Sequence, residues 1–463
     1  MICVDTDKRI ETWRVLIARS QPDEILLRAR GTSFSLPEIA IPVQERIAIN
    51  INRAVERELG LQVISLYEIC PDDYPSPNGI FYHAAVSVRP SEPIPEDAFW
   101  RSIDSLPADL LPRAEDGAAV DTLRSLWRKG NARSTPEPFL RPDWFAEVKD
   151  WVEQTLRPYS IHLTGPFQQF NASSSFSLIR FETSGTPVWF KAVGEPNTRE
   201  YAVTLALARV CPQYLPKVLG SRDDSNAWLA EEAAGTSLFS NRDLCVWKSA
   251  AQNLAKLQIR TLPVVNQLSR AGARNLAILC LRSCVGPFFE MLTGDSSPSK
   301  QCGVEPLALS DLDELRITVQ NNLAALDDLA LPQSVGHMDL NPRNIVSSPQ
   351  GCVFLDWAES FTGCPFFSFE YLLQQFRQVF PLQTSLEMRF REAYVTPWRV
   401  LISPADLTQL LACLPLAALF AYATTLWRDL DAQPVATAAQ RAYLLRLVRK
   451  MRRVSRERKG VPR

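Results

Sequence analysis

Residues 334–360, "SVGHMDLNPRNIVSSPQGCVFLDWAES", constrain this chain more than any other stretch. His337, Asp339, Asn341, Arg343 and Asn344 crowd together between apolar flanks, and Pro342 among them forbids a continuous helix. Asn344 follows Asp339 by five residues, and Asp356 follows Asn344 by twelve, at the end of the apolar run "CVFLD". The pattern predicts a loop, a strand pair and a carboxylate at its tip. Phosphoryl transfer from ATP needs such groups: one carboxylate to orient the attacking hydroxyl and accept its proton, plus an amide oxygen and a second carboxylate to hold magnesium against the phosphates. Asp and Asn in a turn also bond local backbone without any further role. That explains each residue singly, but not the spacing.

A small sheet is expected upstream. "SSFSLIRFE" and "PVWFKAV", joined by "TSGT", read as a hairpin; "EPNTREYAVTLALARV" reads as a helix, and "LPKVLGS" with "AWLAEEAAG" as a strand and a turn. Lys191 falls on the second strand and Glu200 in the first turn of the helix. A lysine inside a hairpin bridges nucleotide phosphates when a glutamate from the facing helix holds it. Lys191 as an ordinary strand residue, and Asn197 with Glu200 as a capping box, are the plainer alternatives.

These residues carry a resemblance. From about residue 144 to 463 the chain resembles the aminoglycoside phosphotransferase and choline kinase family, whose fold is that of protein kinases. That family's loop reads roughly His-Gly-Asp-x-x-x-x-Asn, followed by a strand ending in Asp-Trp or Asp-Phe; His337, Asp339, Asn344 and Asp356-Trp357 match it in order and spacing. The resemblance implies Asp339 as catalytic base, Asn344 and Asp356 as magnesium ligands, and Lys191 on phosphate held by Glu200. It implies that backbone around Glu231, Glu232 and Ala233, in "WLAEEAAG", meets adenine. ATP and Mg2+ are the implied cofactors. Met338 replaces the family's usual glycine, Gln258 in "LAKLQ" replaces its usual histidine, and the nucleotide-covering turn "FNASSSFS" has no glycine. Ser173, Ser174 and Ser175 can still offer N–H and hydroxyl donors to phosphate.

With 463 residues the chain has room for two or three domains. "GNARSTPEPFLRP" (130–142) is linker chemistry, and "DWFAEVKDWVEQTL" beyond it starts a helix with Asp143 as candidate N-cap. The expected division is 1–130, a linker over 131–143, a small lobe over 144–235 and a helical lobe over 236–463. Fifty basic against fifty-one acidic residues give no global pull toward nucleic acid or anionic membrane. Ten scattered cysteines without a CxxC pair, and charges where a signal peptide needs an apolar core, predict a cytoplasmic protein with free thiols. Leu407 to Trp427 is uncharged over a length that could span a bilayer. Its alanines, Gln409, Thr424, Thr425 and Pro415 predict a buried helix pair and no membrane span. Residues 361–440 hold six acidic and five basic side chains, so no polycationic acceptor is singled out, and Trp398 and Trp427 read as core or as an aromatic cage. From Arg441 to Arg463 ten basic residues face one acidic; Leu444, Leu445, Leu447 and Val448 are expected to finish a docked helix and the rest to form a solvated tail open to a polyanion.

Residues 1–128 mix β-rich runs ("RVLIA", "QVISLYEIC", "GIFYHAAVSV") with one helical segment. "FSLPEIAIPVQERIAININRAVERELGL" resembles the Nudix family: Glu45, Arg53, Val55, Glu58, Gly60 and Leu61 match in register, while Ile39, Ala54 and Arg57 do not. An amphipathic helix stopped by Gly60 gives the same outline for geometric reasons. Together the two resemblances imply an α+β, bilobal protein-kinase-like fold preceded by a Nudix-like α/β domain. They leave two function classes: an ATP-dependent phosphotransferase acting on a small-molecule hydroxyl or amine, and a non-catalytic nucleotide-binding regulator with a spent Nudix box.

Overall fold

The computed structural model describes residues 10–458 apart from 21–22, 32, 43–45, 70–79, 90–92, 107–109, 131–137, 295–297, 299–304, 306 and 432–437. The chain divides into two compact units, Met1–Tyr201 with Lys217–Glu232, and Ala202–Pro216 with Ala233–Arg463.

In the first unit, β1 (Ile10–Ser20) buries Trp13, Val15 and Ile17 on one face and Leu16 and Ala18 on the other, the period-two pattern of a strand covered on both sides. It is followed by β2 (Asp23–Arg30), β3 (Ser33–Ser35), β4 (Glu38–Pro42), α1 (Ile47–Leu59), β5 (Val63–Ile69), β6 (Ile80–Ser87), β7 (Ala98–Ser102) and α2 (Ala114–Gly130). The sheet runs β3-β2-β1-β6-β5, with β4 paired to β1 and β7 to β2; β1 and β6 are parallel. α1 packs Ile51, Ala54, Val55 and Leu59 on the Trp13 face and stops at Gly60, whose φ of 68° lies in the left-handed region glycine tolerates. α2 packs Ala119, Val120, Leu123 and Trp127 among the residues of the Leu16 face. The sequence predicts a single helix here. α2 escapes because its apolar stripe is thin, and a buried Arg14–Asp116 ion pair, to which Tyr82 adds a 2.9 Å hydrogen bond, helps to hold it.

The second sheet of this unit follows α3 (Trp144–Leu156): β8 (Leu163–Ser173), β9 (Phe176–Thr183), β10 (Val188–Val193), β11 (Val218–Arg222) and β12 (Ala227–Glu231), ordered β11-β12-β10-β9-β8, all antiparallel. The expected hairpin is β9–β10. Asp143 makes no side-chain cap for α3; its carboxylate lies 3.8 Å from Arg141 instead. One core runs from Leu16, Tyr67 and Trp127 through Trp144 and Phe145 to Phe181 and Phe190. Where β5 and β8 each slip register, the buried Gln169 side chain takes the Ser65 backbone: Ser65 N–H donates to Oε1 at 2.8 Å and Nε2 donates to Ser65 O at 2.9 Å. Gln169→Ala strands both groups. Its expected cost is roughly 2–6 kcal/mol, from about 1–3 for each of the two unsatisfied polar groups; chemical denaturation of the full chain measures it, and a shift near zero would mean that water replaces the amide.

The helix α4 (Arg199–Val210) begins in the first unit and continues in the second. The second unit is mostly helical: β13 (Thr236–Ser237), α5 (Leu244–Thr261), α6 (Val265–Arg270), β14 (Arg274–Leu276), α7 (Ile278–Thr293), α8 (Leu309–Asp327), β15 (Ser334–His337), β16 (Ile345–Ser348), β17 (Gly351–Phe354), β18 (Ser360–Gly363), α9 (Phe366–Val379), α10 (Thr384–Val395), α11 (Pro404–Asp431) and α12 (Ala438–Arg458). Its strands form two three-stranded sheets, β13-β16-β17 and β14-β18-β15.

Two expectations change here. α11 is one 28-residue helix, not a pair broken at Pro415. Pro415 removes one N–H, which costs about 3 kcal/mol in an exposed helix, but Leu410, Leu414, Leu416, Phe420 and Ala421 bury α11 on several sides. The helix is long and apolar enough to cross a membrane, and 67% of its most apolar window is buried within the protein. The basic run from Arg441 is helical to Arg458, with Leu444, Leu445, Leu447, Val448 and Met451 buried. Arg452 and Arg456 both pair with Asp311 on α8, so much of the expected tail is a docked face. Residues 459–463 lie outside the described residues. Trp398 is core, 5.3 Å from Phe366 between ring centres, and the half-buried Trp427 packs on Phe288.

Candidate active site

In the first unit, pleating decides where Lys191 points. Phe190 and Ala192 turn into the core, and Lys191 faces the other way, opposite Trp228 on β12 and Leu178 on β9. Its Nζ lies 2.6 Å from Glu200 Oε1 and within 6 Å of the Phe176 and Trp228 rings. Glu200 is 3% exposed. The Glu200 side chain therefore serves the lysine, while the turn before α4 is closed by backbone, Glu200 N–H donating to Asn197 O at 2.9 Å.

Ser173, Ser174 and Ser175 form the turn between β8 and β9. Ser175 N–H donates to Ser173 Oγ at 3.1 Å, and Gly194 N–H donates to Ser175 O at 2.8 Å. That turn is braced internally rather than left to glycine. Glu231 N–H donates to Lys217 O and Glu232 N–H to Pro187 O, so neither N–H is free for a base. The Glu232 carboxylate is taken by Arg180 and Trp189, and the Arg180 hydrogen bond holds it below the usual carboxylate range. Ala233 is the first residue of the second unit there.

In the second unit the loop after β15 is held from several directions. Asp339 N–H donates to His337 Nδ1 at 3.1 Å, so the other ring nitrogen carries the proton and donates to Leu355 O, also at 3.1 Å. Burial keeps that imidazole neutral by pushing its pKa down. His337 thus straps the Asp339 loop to the residue before Asp356. A second strap is Leu355 N–H to Asn344 O at 2.8 Å. Asn344 Nδ2 donates to Asp339 O at 2.9 Å, which leaves its Oδ1 as an acceptor. Asn341 Oδ1 receives Arg343 N–H, and the Arg343 guanidinium lies 3.7 Å over the Phe239 ring. Asp356 has φ 63°, a left-handed conformation that Asp tolerates better than most residues. It sits where the β16–β17 hairpin ends.

Magnesium can be tested against these groups. Among the described residues no three His, Cys, Asp or Glu side chains cluster as a metal site. An amide oxygen from Asn344 and a carboxylate from Asp356 are hard donors, and magnesium bound alongside nucleotide takes only one or two protein ligands and completes its shell with phosphate and water. The donor set fits that mode.

Met338 is buried in the core, with its N–H donating to Glu359 O at 2.9 Å. Two residues earlier, on β15, glycine is required at Gly336, whose Cβ would lie 1.9 Å from the Phe361 ring. Gln258 is fully buried; it donates to Pro365 O at 2.9 Å and accepts from Tyr394 OH at 2.7 Å. Sequence reasoning misses Ser368, whose Oγ accepts the His337 N–H at 2.7 Å, and Tyr371, whose phenol reaches Asp339. Both sit in the aromatic run of α9. The only signal was two polar groups three residues apart, on one helical face.

No protein-family model matches the chain, and no curated protein matches it. Solved structures similar to it include small-molecule phosphotransferases of the choline/ethanolamine kinase and aminoglycoside phosphotransferase families. A choline/ethanolamine kinase family protein from Mesorhizobium loti is 15% identical over 66% of this chain and 99% of that one, with TM-score 0.42. An ethanolamine kinase from Plasmodium vivax is 13% identical over 71% and 94%, TM-score 0.46, and a putative aminoglycoside phosphotransferase from Ralstonia eutropha is 16% identical over 68% and 99%, TM-score 0.44.

Proposed function

We propose that the chain is an ATP-dependent phosphotransferase of kinase-like, bilobal design, with its lobes over residues 144–235 and 236–463, moving the γ-phosphoryl group to a hydroxyl or amine of a small molecule. One observation carries the reading: His337 and the Leu355–Asn344 bond tie Asp339, Asn344 and Asp356 into one braced constellation. Structural turns do not require three such groups to be held together. In this reading Asp339 orients the acceptor and takes its proton. Lys191, held by Glu200, contacts phosphate, and the Ser173–Ser175 turn offers it donors. Magnesium on Asn344 and Asp356 neutralises phosphate charge when nucleotide is bound.

The N-terminal residues 1–130 fit a Nudix-like scaffold without hydrolase activity. Ala54 is buried against the sheet, Arg57 lies 2.7 Å from Glu58, and Glu45 is outside the described residues. The seven described cysteines form no disulfide, in keeping with a cytoplasmic setting. The regulator reading loses one of its motives, because Met338 is turned into the core and away from the chemistry.

Calorimetry with magnesium-ATP tests the metal assignment. Asp356→Ala and Asn344→Ala are each expected to weaken binding on the order of tenfold or more, only when magnesium is present. Equal magnesium-ATP affinity in wild type and Asp356→Ala would remove the metal site.

A further inference from the structure

Among the described residues, the side-chain donors to the Asp339 carboxylate meet on one oxygen. Tyr371 OH donates to its Oδ1 at 3.1 Å, and Asn341 Nδ2 donates to the same Oδ1 at 3.1 Å. Among the described residues no donor is recorded on Oδ2. The two donors come from opposite sides of the sequence problem: Asn341 lies in the loop itself, whereas Tyr371 comes from α9, a separate packed helix. α9 also supplies Ser368, which accepts the His337 N–H at 2.7 Å.

The tyrosine is itself well placed to be a fixed donor. Its ring lies 6.3 Å from that of Tyr422 on α11, which in turn lies 6.3 Å from that of Tyr443 on α12. Burial and the neighbouring Asp339 push the Tyr371 phenol up, so it stays protonated and keeps its hydrogen to give. A carboxylate that takes two donors on one oxygen cannot rotate freely, and rotation is what a base must avoid if a proton is to leave along a fixed line.

We propose that Tyr371 and Asn341 are positioning residues that clamp Asp339 through Oδ1, so that Oδ2 is the oxygen that receives the acceptor's proton. This rests on the phosphotransferase reading and adds to it which oxygen reacts and what aims it. In the step, the acceptor's O–H bond breaks, its proton goes to Oδ2, its oxygen forms the new P–O bond, and ADP leaves with the electrons of the bond to the γ-phosphorus. Tyr371 keeps its own proton throughout.

The test measures ADP release from magnesium-ATP with water as acceptor, alongside calorimetric magnesium-ATP affinity, in the full chain. Tyr371→Phe keeps the ring and removes the hydroxyl; Asn341→Ser keeps an oxygen for the Arg343 N–H and removes the amide donor. Each is expected to lower kcat by roughly tenfold to a hundredfold, the range over which misaligned groups lose rate, with the KM for ATP and the affinity unchanged within about twofold. Asp339→Asn serves as the control, and Tyr371→Phe should add no further loss in that background. If both single variants turn over at wild-type rates while Asp339→Asn is inactive, the clamp is wrong and the base stands. A parallel fall in affinity and rate would also overturn the clamp, by making Tyr371 a packing residue. No ADP release in wild type would overturn the clamp alone, because an aimed Oδ2 takes a proton from water as well, whereas full activity in Asp339→Asn would sink the phosphotransferase reading and the clamp with it.

Discussion

Asp339→Asn is expected to lower phosphotransfer by roughly 10²–10⁴-fold, the usual contribution of a positioned base, while leaving magnesium-ATP affinity nearly intact. The physical reason is that its carboxylate serves the acceptor. Its backbone is also part of the brace, since Asp339 N–H reaches His337 Nδ1 and Asp339 O receives Asn344 Nδ2, and the substitution leaves both in place. Asparagine keeps the size and can still accept from Tyr371 on its amide oxygen, but it cannot hold a proton. Rapid-quench turnover and calorimetry on the same preparation separate the two effects. Loss of nucleotide affinity equal to the loss of rate would show that Asp339 is a nucleotide or metal ligand instead.

Glu200→Ala is the second large effect. The carboxylate is almost fully buried, and it leaves Lys191 as a partly buried charge without this counterion. Removing one partner of a buried pair costs about 3–5 kcal/mol, much of it the penalty on the charge left behind. ATP use should fall as well, because Lys191 Nζ is no longer held. Lys191→Met should cost at least as much in stability, since it leaves the more deeply buried Glu200 carboxylate without this partner, and the double change should cost much less than the sum. Strictly additive losses, in both unfolding midpoint and ATP KM, would separate the two residues and leave Glu200 with a purely local role in α4.

Sequence made one part of this site readable and hid another for identifiable reasons. Local chemistry was legible: Pro342 and the Asx side chains predict a turn, "CVFLD" a strand, and the structure has both, as β16–β17 with Asp356 just beyond. Lys191 on its strand and Glu200 in the first turn of its helix were legible too, and their 2.6 Å contact follows from that hairpin and helix. What stayed hidden depends on packing between distant segments. Tyr371 reaches Asp339 because α9 folds back beneath the loop, 32 residues on, and no local pattern announces it. His337 was visible as a motif residue, but its work as a strap needs Leu355 to be near. Gln169 reads as one of two adjacent glutamines in a strand, yet it closes a register slip in β5 more than a hundred residues earlier. The Pro415 reading erred because proline's effect on a helix is a local cost that surrounding burial offsets, and burial is not visible from sequence.

The central claim is that this braced loop moves phosphate from ATP to a small molecule. The most direct measurement is a screen of hydroxylated and amino metabolites for ADP release, run side by side with wild type and Asp339→Ala, with the phosphorylated acceptor identified by mass. The account predicts at least one acceptor that wild type phosphorylates in step with ADP release and that Asp339→Ala leaves unmodified. Tight magnesium-ATP binding with no acceptor-dependent ADP release, or release that Asp339→Ala retains, would contradict it and favour a nucleotide-binding regulator.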